Sequence, residues 1–395
     1  MSRSSHPARG GSPVVSVDAY GFLLTRPGSP TPTERHGADR TAGHRIDEPL
    51  TSSTWTTAAL AEEEEWWVAS FAMLLSWRAT SAAPPTPSST AAVDAALVER
   101  WFHSRWLRRL RCHGGCPHAS LRRLLWGFFG GAWQRCAAAQ AALAGHYTTV
   151  TTAMTAASAD PDAPLPVGRA VLESIDRDVG RTFPSHVLFR GPLACAPGQQ
   201  QLRRLLAAYA ALDPEVGYCQ GMAFVAAVTL LVAPEPDAFH LFCGLMRDGA
   251  AVDVDVDVAG CVRGCEPGLR RLYLAGFPLL QVLLHELERH VSASLPALAA
   301  HFVATEVDVA MFASQWFLTL YAHQLPPAVL LRVWDVFLVR GWPVMIQVAV
   351  ALLHQEQETL LGSSLDGVLL HLQSTRSRLD GEEDLLRRIW GVPSV

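Results

Sequence analysis

Apolar residues at helical spacing, interrupted by proline and glycine, run through the greater part of this chain. In the stretch LVERWFHSRWLRRL, for example, Leu97, Trp101 and Leu110 fall near one face of a helix. A chain that offers amphipathic helices one after another buries their apolar faces against each other. The pattern therefore predicts an all-α domain over residues 93–395, with no internal repeat of fixed period.

Breaks at proline and glycine divide this region into separate helices, and Ser120 stands where a cap for one of them is expected. The predicted helices cover residues 121–129, 134–157, 167–181, 198–212, 222–233, 236–247, 268–292, 294–304, 310–323, 326–338, 342–361 and 364–390. The residues with distinctive chemistry lie mostly between these helices, so we expect function to reside in the connecting loops.

The segment AVDVDVDVAG is the one strand-like alternation in the chain, and it stands alone between helical segments. An isolated strand cannot form a sheet. Its aspartates are spaced like the first ligands of a calcium loop, but Val258 and Gly264 stand where that loop requires glycine and glutamate. We therefore expect residues 251–258 to form an acidic surface loop, either as a tolerated insertion or as a contact for a partner.

Residues 1–92 differ from the rest, because they are rich in serine, threonine, proline, glycine and arginine. This low-complexity composition predicts a largely disordered N-terminal region. A short helix is expected near 62–78, where four glutamates precede WWVASFAMLLSW and complement the helix dipole. The stretch 80–91 has the composition of a linker.

All 32 basic residues are arginines, because the chain contains no lysine. The phosphate-binding loop of the GxxxxGK type requires a lysine, and so does Schiff-base chemistry. The chain is therefore not itself a Walker-type nucleotide hydrolase.

The eight cysteines are scattered through apolar stretches, which is typical of a reduced, intracellular protein rather than a disulfide scaffold. The pairs at 112/116 and 261/265 could be read as halves of a zinc site, but their spacing is looser than that of zinc knuckles, and buried free thiols are common. The longest apolar run, Met222–Ala233, is too short to span a membrane, so no transmembrane helix is expected.

The stretch IDRDVGRTFP places Asp178 three residues before Arg181, so on a helix the carboxylate can hold the guanidinium in a fixed direction. Pro184 disfavours helical conformation at Phe183, which ends the helix beside Arg181. The pair can be an ordinary surface ion pair, or it can present the arginine to a ligand.

The stretch DPEVGYCQGM places Gln220 on a turn, because Gly217 and Gly221 free the backbone on either side before an apolar helix begins. The carboxamide can satisfy nearby backbone groups, or it can be presented to a ligand. A third interpretation makes Cys219 a nucleophile served by a distant histidine, although no local feature beyond the adjacent helix start favours a reactive thiol.

A positioned arginine and a positioned glutamine, without a base, nucleophile or metal cluster, fit the hydrolysis of GTP. In that reaction a glutamine orients the attacking water and an arginine neutralises charge on the transferred phosphoryl group. A chain that lacks a phosphate-binding loop can supply these groups only in trans.

The two stretches, followed by YLAGFPLLQ and FASQWFLTLYAHQLPPAVLLRVWDVFLVRGWPVMIQVAVALL, resemble in order and spacing the TBC domain of Rab GTPase-activating proteins. The earlier segment GCPHASLRRLLW is similar to the entry segment of that domain, and the core motifs cover residues 115–361. The resemblance implies a TBC-type multi-helix fold and a mechanism with two catalytic fingers.

Carried over by the resemblance, Arg181 matches the arginine finger of the IxxDxxR motif, and Gln220 matches the glutamine finger of the YxQ motif. Asp178 is expected to orient Arg181. The other supporting positions are Ile175, Thr182, Phe183, Pro184, Tyr218, Cys219 and Gly221.

The resemblance further implies an enzyme activator that acts on a GTP-bound Rab, with GTP and magnesium held by the GTPase and with no cofactor or metal of its own. Nucleic acid is not expected as a partner. A cytoplasmic location is expected, with peripheral association to endomembranes through the Rab. The alternatives are a TBC-type module that binds a Rab without accelerating hydrolysis, and a helical scaffold unrelated to GTPases.

A third motif of the resemblance is interpreted as core and scaffold, because tryptophans at helical spacing are more often packing residues than contact residues. Its members here are Trp316, Arg332, Trp334 and Asp335. The chain departs from the usual TBC pattern where Arg123 replaces a glycine, Asp213 and Ala223 replace asparagines, and His240 replaces a tryptophan. These departures bear on partner choice and local packing, since neither finger is lost.

Overall fold

The computed structural model describes residues 119–130, 137–160, 162–193, 195–247, 268–373 and 382–391, together with Trp66, Ala69 and Cys116. Trp66 and Ala69 are both helical, and the rest of the helix predicted near 62–78 lies outside the described residues. The predicted disorder of the N-terminal region and the acidic loop 251–258 also lie outside them. The predicted division of the chain at residue 92 stays a prediction.

The described residues form helices joined by turns, with no strand among them, which confirms the all-α prediction. The helices in chain order are α1 (Ala119–Phe129), α2 (Ala137–Ala159), α3 (Arg169–Arg181), α4 (Pro197–Leu212), α5 (Met222–Val232), α6 (Glu235–Leu245), α7 (Arg270–Tyr273), α8 (Pro278–Ser294), α9 (Pro296–Ala304), α10 (Ala310–Leu318), α11 (Pro327–Arg340), α12 (Pro343–Leu361), α13 (Leu365–Gln373) and α14 (Glu382–Gly391).

The single helix predicted over 268–292 is wrong, because the structure divides it into α7 and α8. Gly276 and Phe277 both have positive φ angles, of 80° and 51°. Pro278 follows at the first position of α8, where its fixed φ suits a helix start but restricts the residue before it. Helices α13 and α14 lie within the helix predicted over 364–390, and residues 374–381 between them lie outside the described residues.

Helix α10 ends at Leu318, five residues earlier than the sequence pattern predicts. Leu320 and Tyr321 follow with φ angles of 46° and 62°, a conformation that large side chains rarely adopt. Tyr321 is fully buried and its hydroxyl donates to the carbonyl of Met345 at 2.8 Å. Tertiary packing therefore ends this helix and holds the strained turn after it.

Helix α4 lies at the centre of the N-terminal half, where it packs against α2, α3, α5 and α6. One polar group ties three of these helices together. Arg204 of α4 donates to both carboxylate oxygens of Glu235 on α6 at 2.7 Å, and the hydroxyl of Tyr147 on α2 donates to the same carboxylate at 2.5 Å. Burial alone would raise the pKa of Glu235, but these hydrogen bonds outweigh it and lower the pKa.

Helix α12 lies at the centre of the C-terminal half, packed against α8, α9, α11, α13 and α14. Every residue of α12 from Val344 to Leu353 is buried. A helix that is buried on all sides belongs to the core of a domain. The C-terminal half is thus organised around one apolar helix.

A buried ion pair joins α1 to α11. Asp335 accepts hydrogen bonds from Nε and Nη2 of Arg122, from the indole Nε1 of Trp126 and from the backbone N–H of Cys116, at distances from 2.7 to 3.2 Å. The side chains of Arg122 and Asp335 are 2% and 0% exposed. A buried carboxylate needs such partners because an unpaired charge would be expensive to desolvate.

Helix α3 packs against α4 and α5 and carries the first of the two predicted finger motifs at its C-terminal end. Leu172, Ile175 and Val179 face inward and are buried. Arg203 of α4 also pairs with Asp176 at 2.6 Å. The apolar face and this ion pair fix the direction in which the helix end points, so Ile175 supports the site as a core residue.

Candidate functional site

Arg181 is the last residue of α3, and its side chain is 51% exposed. Two hydrogen bonds close the helix end behind it: the hydroxyl of Thr182 donates to the carbonyl of Asp178 at 2.7 Å, and its backbone N–H donates to the carbonyl of Val179 at 3.2 Å. Thr182 is buried, so the end of the helix is anchored while the arginine points outward. The sequence correctly predicted where this helix ends.

The residue after Thr182 turns the chain away from the helix. Phe183 has a φ of 45° and is buried, with its ring 5.6 Å from Phe224 in an edge-on arrangement and 6.2 Å from Phe189. A bulky residue keeps a positive φ only where its surroundings hold it. Pro184 follows on the exposed side. The buried Phe183 therefore fixes the path of the chain just beyond Arg181.

Asp178 lies one turn before Arg181 and is mostly buried, with its side chain 10% exposed. Its Oδ1 lies 2.6 Å from Nη2 of Arg181. Its Oδ2 accepts a hydrogen bond from the hydroxyl of Tyr218 at 2.5 Å. With both oxygens engaged, the carboxylate has a fixed orientation and in turn restricts the guanidinium, as the sequence predicted for this pair.

The second predicted finger lies on the segment 213–221, which we call the glutamine loop. Gly217 and Gly221 have φ angles of 57° and 107°, which glycine adopts without strain. A Cβ at Gly221 would lie 2.7 Å from the carbonyl oxygen of Leu318, so only glycine fits there. Gln220 is exposed, and α5 starts at Met222 directly after the loop.

Tyr218 joins the two motifs, because it lies in the glutamine loop and its hydroxyl reaches Asp178 across 40 residues of sequence. Gln220 lies two positions after Tyr218, a chain length of at most about 7 Å. Burial, and the hydrogen bond and charge of Asp178, raise the pKa of Tyr218 well above its usual value. The hydroxyl therefore stays protonated at neutral pH and donates to Asp178.

Cys219 is half-buried between Tyr218 and Gln220. Burial and the negative charge of Asp178 raise the pKa of its thiol. A nucleophilic cysteine requires the opposite, a lowered pKa. The raised pKa therefore argues against the alternative in which Cys219 attacks a substrate. In the part of the chain that the structure describes, no group of three or more histidine, cysteine or acidic residues could hold a metal ion.

The opening residue of the glutamine loop, Asp213, carries an interaction that the sequence analysis missed. Arg270 of α7 donates from Nε to Oδ2 of Asp213 at 2.7 Å and from Nη2 to Oδ1 at 3.2 Å. The two residues are 57 apart in sequence, so no local pattern connects them. One indication of this pair is present in the sequence: an aspartate replaces the usual asparagine at 213, and a partly buried carboxylate needs a positively charged or hydrogen-bonding partner.

The four residues of the third motif lie inside the molecule or at its edge. Trp316, Trp334 and Asp335 are at most 1% exposed, and Arg332 is half-buried. Trp334 stacks on Trp126 with ring centroids 5.3 Å apart and donates from Nε1 to the carbonyl of Leu320 at 3.0 Å. These contacts are those of scaffold residues.

Of the departures from the usual TBC pattern, one lies in a surface ion pair and another is buried in the core. Arg123 pairs with Asp237 at 2.5 Å on the surface. Ala223 is fully buried in the first turn of α5. Neither residue contacts the fingers through a hydrogen bond. Among the described helices, none is long and apolar enough to cross a membrane.

Comparison with known proteins adds an independent line of information. The family model described as the Rab-GTPase-TBC domain matches residues 130–255 and 261–361, more than half of the chain. The human ecotropic viral integration site 5 protein homolog is 32% identical over 213 residues, which cover 54% of this chain and 24% of that protein. The Rab GTPase-activating protein eat-17 of Caenorhabditis elegans is 33% identical, with 54% of this chain and 22% of that protein covered. The chain thus spans about a quarter of the length of these curated relatives.

Among solved structures, a flagellar RabGAP TBC domain from Chlamydomonas is similar to this chain with a TM-score of 0.54. The match covers 85% of this chain and 97% of the other, at 19% sequence identity. At that identity the likeness concerns the fold.

Proposed function

The chain belongs to the Rab-GTPase-TBC domain family, and on that premise we propose that it is a GTPase-activating protein for a Rab-family small GTPase. It acts in trans: the GTPase holds GTP and magnesium, and this chain contributes Arg181 and Gln220. The protein is therefore an activator of an enzyme, and it holds no nucleotide, metal or cofactor of its own.

The observation that carries the proposal is the chain of contacts from Arg181 through Asp178 to Tyr218. It places an outward-pointing guanidinium beside a loop that exposes Gln220. Arg181 is at the same time held by a buried carboxylate and accessible to a partner. A guanidinium used only for stability would gain little from remaining 51% exposed, since surface ion pairs contribute about 0–1 kcal/mol.

In the proposed reaction, the amide of Gln220 orients the water that attacks the γ-phosphoryl group. Arg181 donates to the phosphoryl oxygens and neutralises charge that develops as the bond to the leaving group breaks. Asp178 and Tyr218 keep the guanidinium pointed at that position, so that little reorientation is needed when the partner docks. Thr182, Phe183 and Pro184 shape the chain beside the arginine, and Gly221 allows the glutamine loop to approach Leu318.

The partner is a GTP-bound Rab, and we propose that the protein is cytoplasmic and reaches endomembranes peripherally through that Rab. The alternative is a module that binds a Rab without accelerating hydrolysis. A binding module has no use for both an exposed arginine and an exposed glutamine, so their joint presence favours the activator.

The test is release of inorganic phosphate from a panel of purified, GTP-loaded Rabs, with and without the full chain. We expect at least one Rab to be stimulated, and Arg181→Ala to remove about 10^3 to 10^5 of that stimulation, the range of known arginine fingers. Gln220→Ala should also remove most of it. Matched controls are Arg289→Ala and Gln281→Ala on the exposed face of α8, which should change nothing.

Binding of the wild-type chain to a GTP-bound Rab without any acceleration would instead support the binding module. Absence of both binding and stimulation across the panel, with a folded sample, would favour a scaffold unrelated to GTPases.

A further inference from the structure

Helix α7, four residues long, contacts the start of the glutamine loop and also contacts Leu318, the residue that lies against the end of that loop. It begins 57 residues beyond the start of that loop and packs on α8. Its first residue, Arg270, pairs with Asp213 at the start of the loop, and its last residue, Tyr273, donates to the carbonyl of Leu318, which lies against Gly221. The two finger motifs do not predict a contact with this helix, which is distant from both in the sequence.

At the start of the loop, Arg270 engages Asp213 with two donors of its planar fork, which fixes direction as well as distance. Its Nη2 also contacts the carboxylate of Glu215. Asp213 accepts from the hydroxyl of Tyr209 at 3.0 Å, and its own carbonyl accepts from the N–H of Gly217 at 2.8 Å. Asp213 therefore contacts α4, α7 and the first turn of the loop at the same time.

The Arg270–Asp213 pair is well shielded, with side chains 20% and 17% exposed. Burial alone would raise the pKa of Asp213, but the hydrogen bonds from Arg270 and Tyr209 lower it below its usual value. The carboxylate is thus charged at neutral pH, and the pair is a charge-assisted one rather than a loosely solvated surface contact.

At the end of the loop, the hydroxyl of Tyr273 donates to the carbonyl of Leu318 at 2.8 Å. That same carbonyl is the atom that lies nearest to the position of a Cβ on Gly221. Tyr273 is buried, so this hydrogen bond is shielded from water. Tyr273 thus holds Leu318, and Leu318 lies against Gly221, the residue after Gln220.

We propose that α7 is a brace for the glutamine loop and that Arg270 is a positioning residue for Gln220. The inference rests on the proposed function, since it assigns Arg270 a part in the same reaction. A glutamine on a loop with two glycines would otherwise sample many orientations, and misplacement of a catalytic group by about 1 Å can reduce the rate about a hundredfold. Arg270 acts on Gln220 through Asp213 and touches no reacting atom.

The kinetic test is Arg270→Ala, assayed with the most strongly stimulated Rab. We expect the maximal stimulated rate to fall about 10- to 100-fold, with the Rab concentration for half-maximal rate changed less than about threefold. Asp213→Asn should cost less, because an amide oxygen still accepts from the fork. In a Gln220→Ala background, Arg270→Ala should have little further effect, since it acts through the residue already removed. Arg289→Ala is the matched control.

The structural test uses hydrogen exchange of the chain alone, read by mass spectrometry over residues 214–221. Arg270→Ala should accelerate exchange in this segment at least about tenfold, while Arg289→Ala should leave it unchanged. Circular dichroism verifies that each variant is folded.

Unchanged exchange in the loop would overturn the brace, and so would an equal kinetic loss with glutamine or alanine at 220. A wild-type chain that stimulates no Rab would refute the proposed function. In that case the exchange measurement still decides whether α7 holds the loop.

Discussion

Two arginine–aspartate pairs in this molecule use the same chemistry for different purposes. Arg122 and Asp335 are 2% and 0% exposed and join α1 to α11. Arg181 and Asp178 are 51% and 10% exposed and end α3 beside the glutamine loop. In the first pair both partners are buried and every contact is internal. In the second, only the carboxylate is buried.

The difference between the pairs shows how exposure separates a structural arginine from one available to a partner. Asp335 accepts hydrogen bonds from Arg122, Trp126 and the backbone of Cys116, so both of its oxygens are engaged inside the protein. Asp178 uses one oxygen for Arg181 and the other for Tyr218, so it orients an arginine whose side chain remains 51% exposed. Four more predictions sharpen this contrast.

The largest effect on stability is expected from Arg122→Ala. Removing one partner of a buried pair leaves an uncompensated charge on Asp335, which costs about 3–5 kcal/mol of unfolding free energy. Arg181→Ala, the same change at the exposed pair, leaves Asp178 with its hydrogen bond from Tyr218, so the unfolding free energy should fall by no more than about 1 kcal/mol while stimulation is lost. Urea denaturation followed by tryptophan fluorescence measures both. Equal destabilisation by the two variants would contradict the contrast.

Tyr218→Phe removes the donor to Asp178 and keeps the ring, so we expect a loss of about 1 kcal/mol of unfolding free energy. We also expect about a tenfold decrease in stimulated turnover, because Asp178 no longer holds Arg181 in one direction. Tyr147→Phe is the matched control: Tyr147 donates to Glu235 at 2.5 Å, and Glu235 in turn holds Arg204. That variant should lose stability and keep turnover. Loss of turnover in both would point to a general effect of stability.

The raised pKa of Tyr218 predicts a dependence of stability on alkaline pH. The contribution of the hydroxyl is fully present below the pKa of an unfolded tyrosine, about 10, and is lost as the pH rises above it, because the unfolded chain then releases a proton that the folded chain keeps. Between pH 9 and 10.5 the difference in unfolding free energy between wild type and Tyr218→Phe should shrink by roughly 1 kcal/mol or slightly less. A constant difference would mean that the hydroxyl is not held as described.

The smallest effect is expected from Arg123→Ala. Arg123 and Asp237 are 49% and 50% exposed, so water screens the pair and the unfolding free energy should change by less than about 0.5 kcal/mol. Phosphate release in the Rab panel should be unchanged. A loss of binding to one Rab would identify Arg123 as a contact with that partner.

The helical pattern predicted most of the described elements, and it failed at two places, one where a tertiary contact ends a helix and one where local backbone conformation divides a helix. Helix α10 ends early because the buried Tyr321 and its bond to Met345 impose a left-handed turn. The segment 268–292 divides because Gly276 and Phe277 adopt positive φ angles before Pro278. Neither outcome follows from apolar periodicity, which reports which face is buried and not which partner buries it.

The sequence by itself determined the all-helical class, the end of α3 at Arg181 and the flexible glycines around Gln220, because these depend on neighbours within a few residues. Only the tertiary structure decided that Tyr218 reaches Asp178 across 40 residues and that Arg270 reaches Asp213 across 57. Such contacts depend on how the helices pack, and packing is settled by the whole core at once. The residues proposed as fingers can therefore be predicted from the sequence, while the contacts around them become visible only in the folded chain.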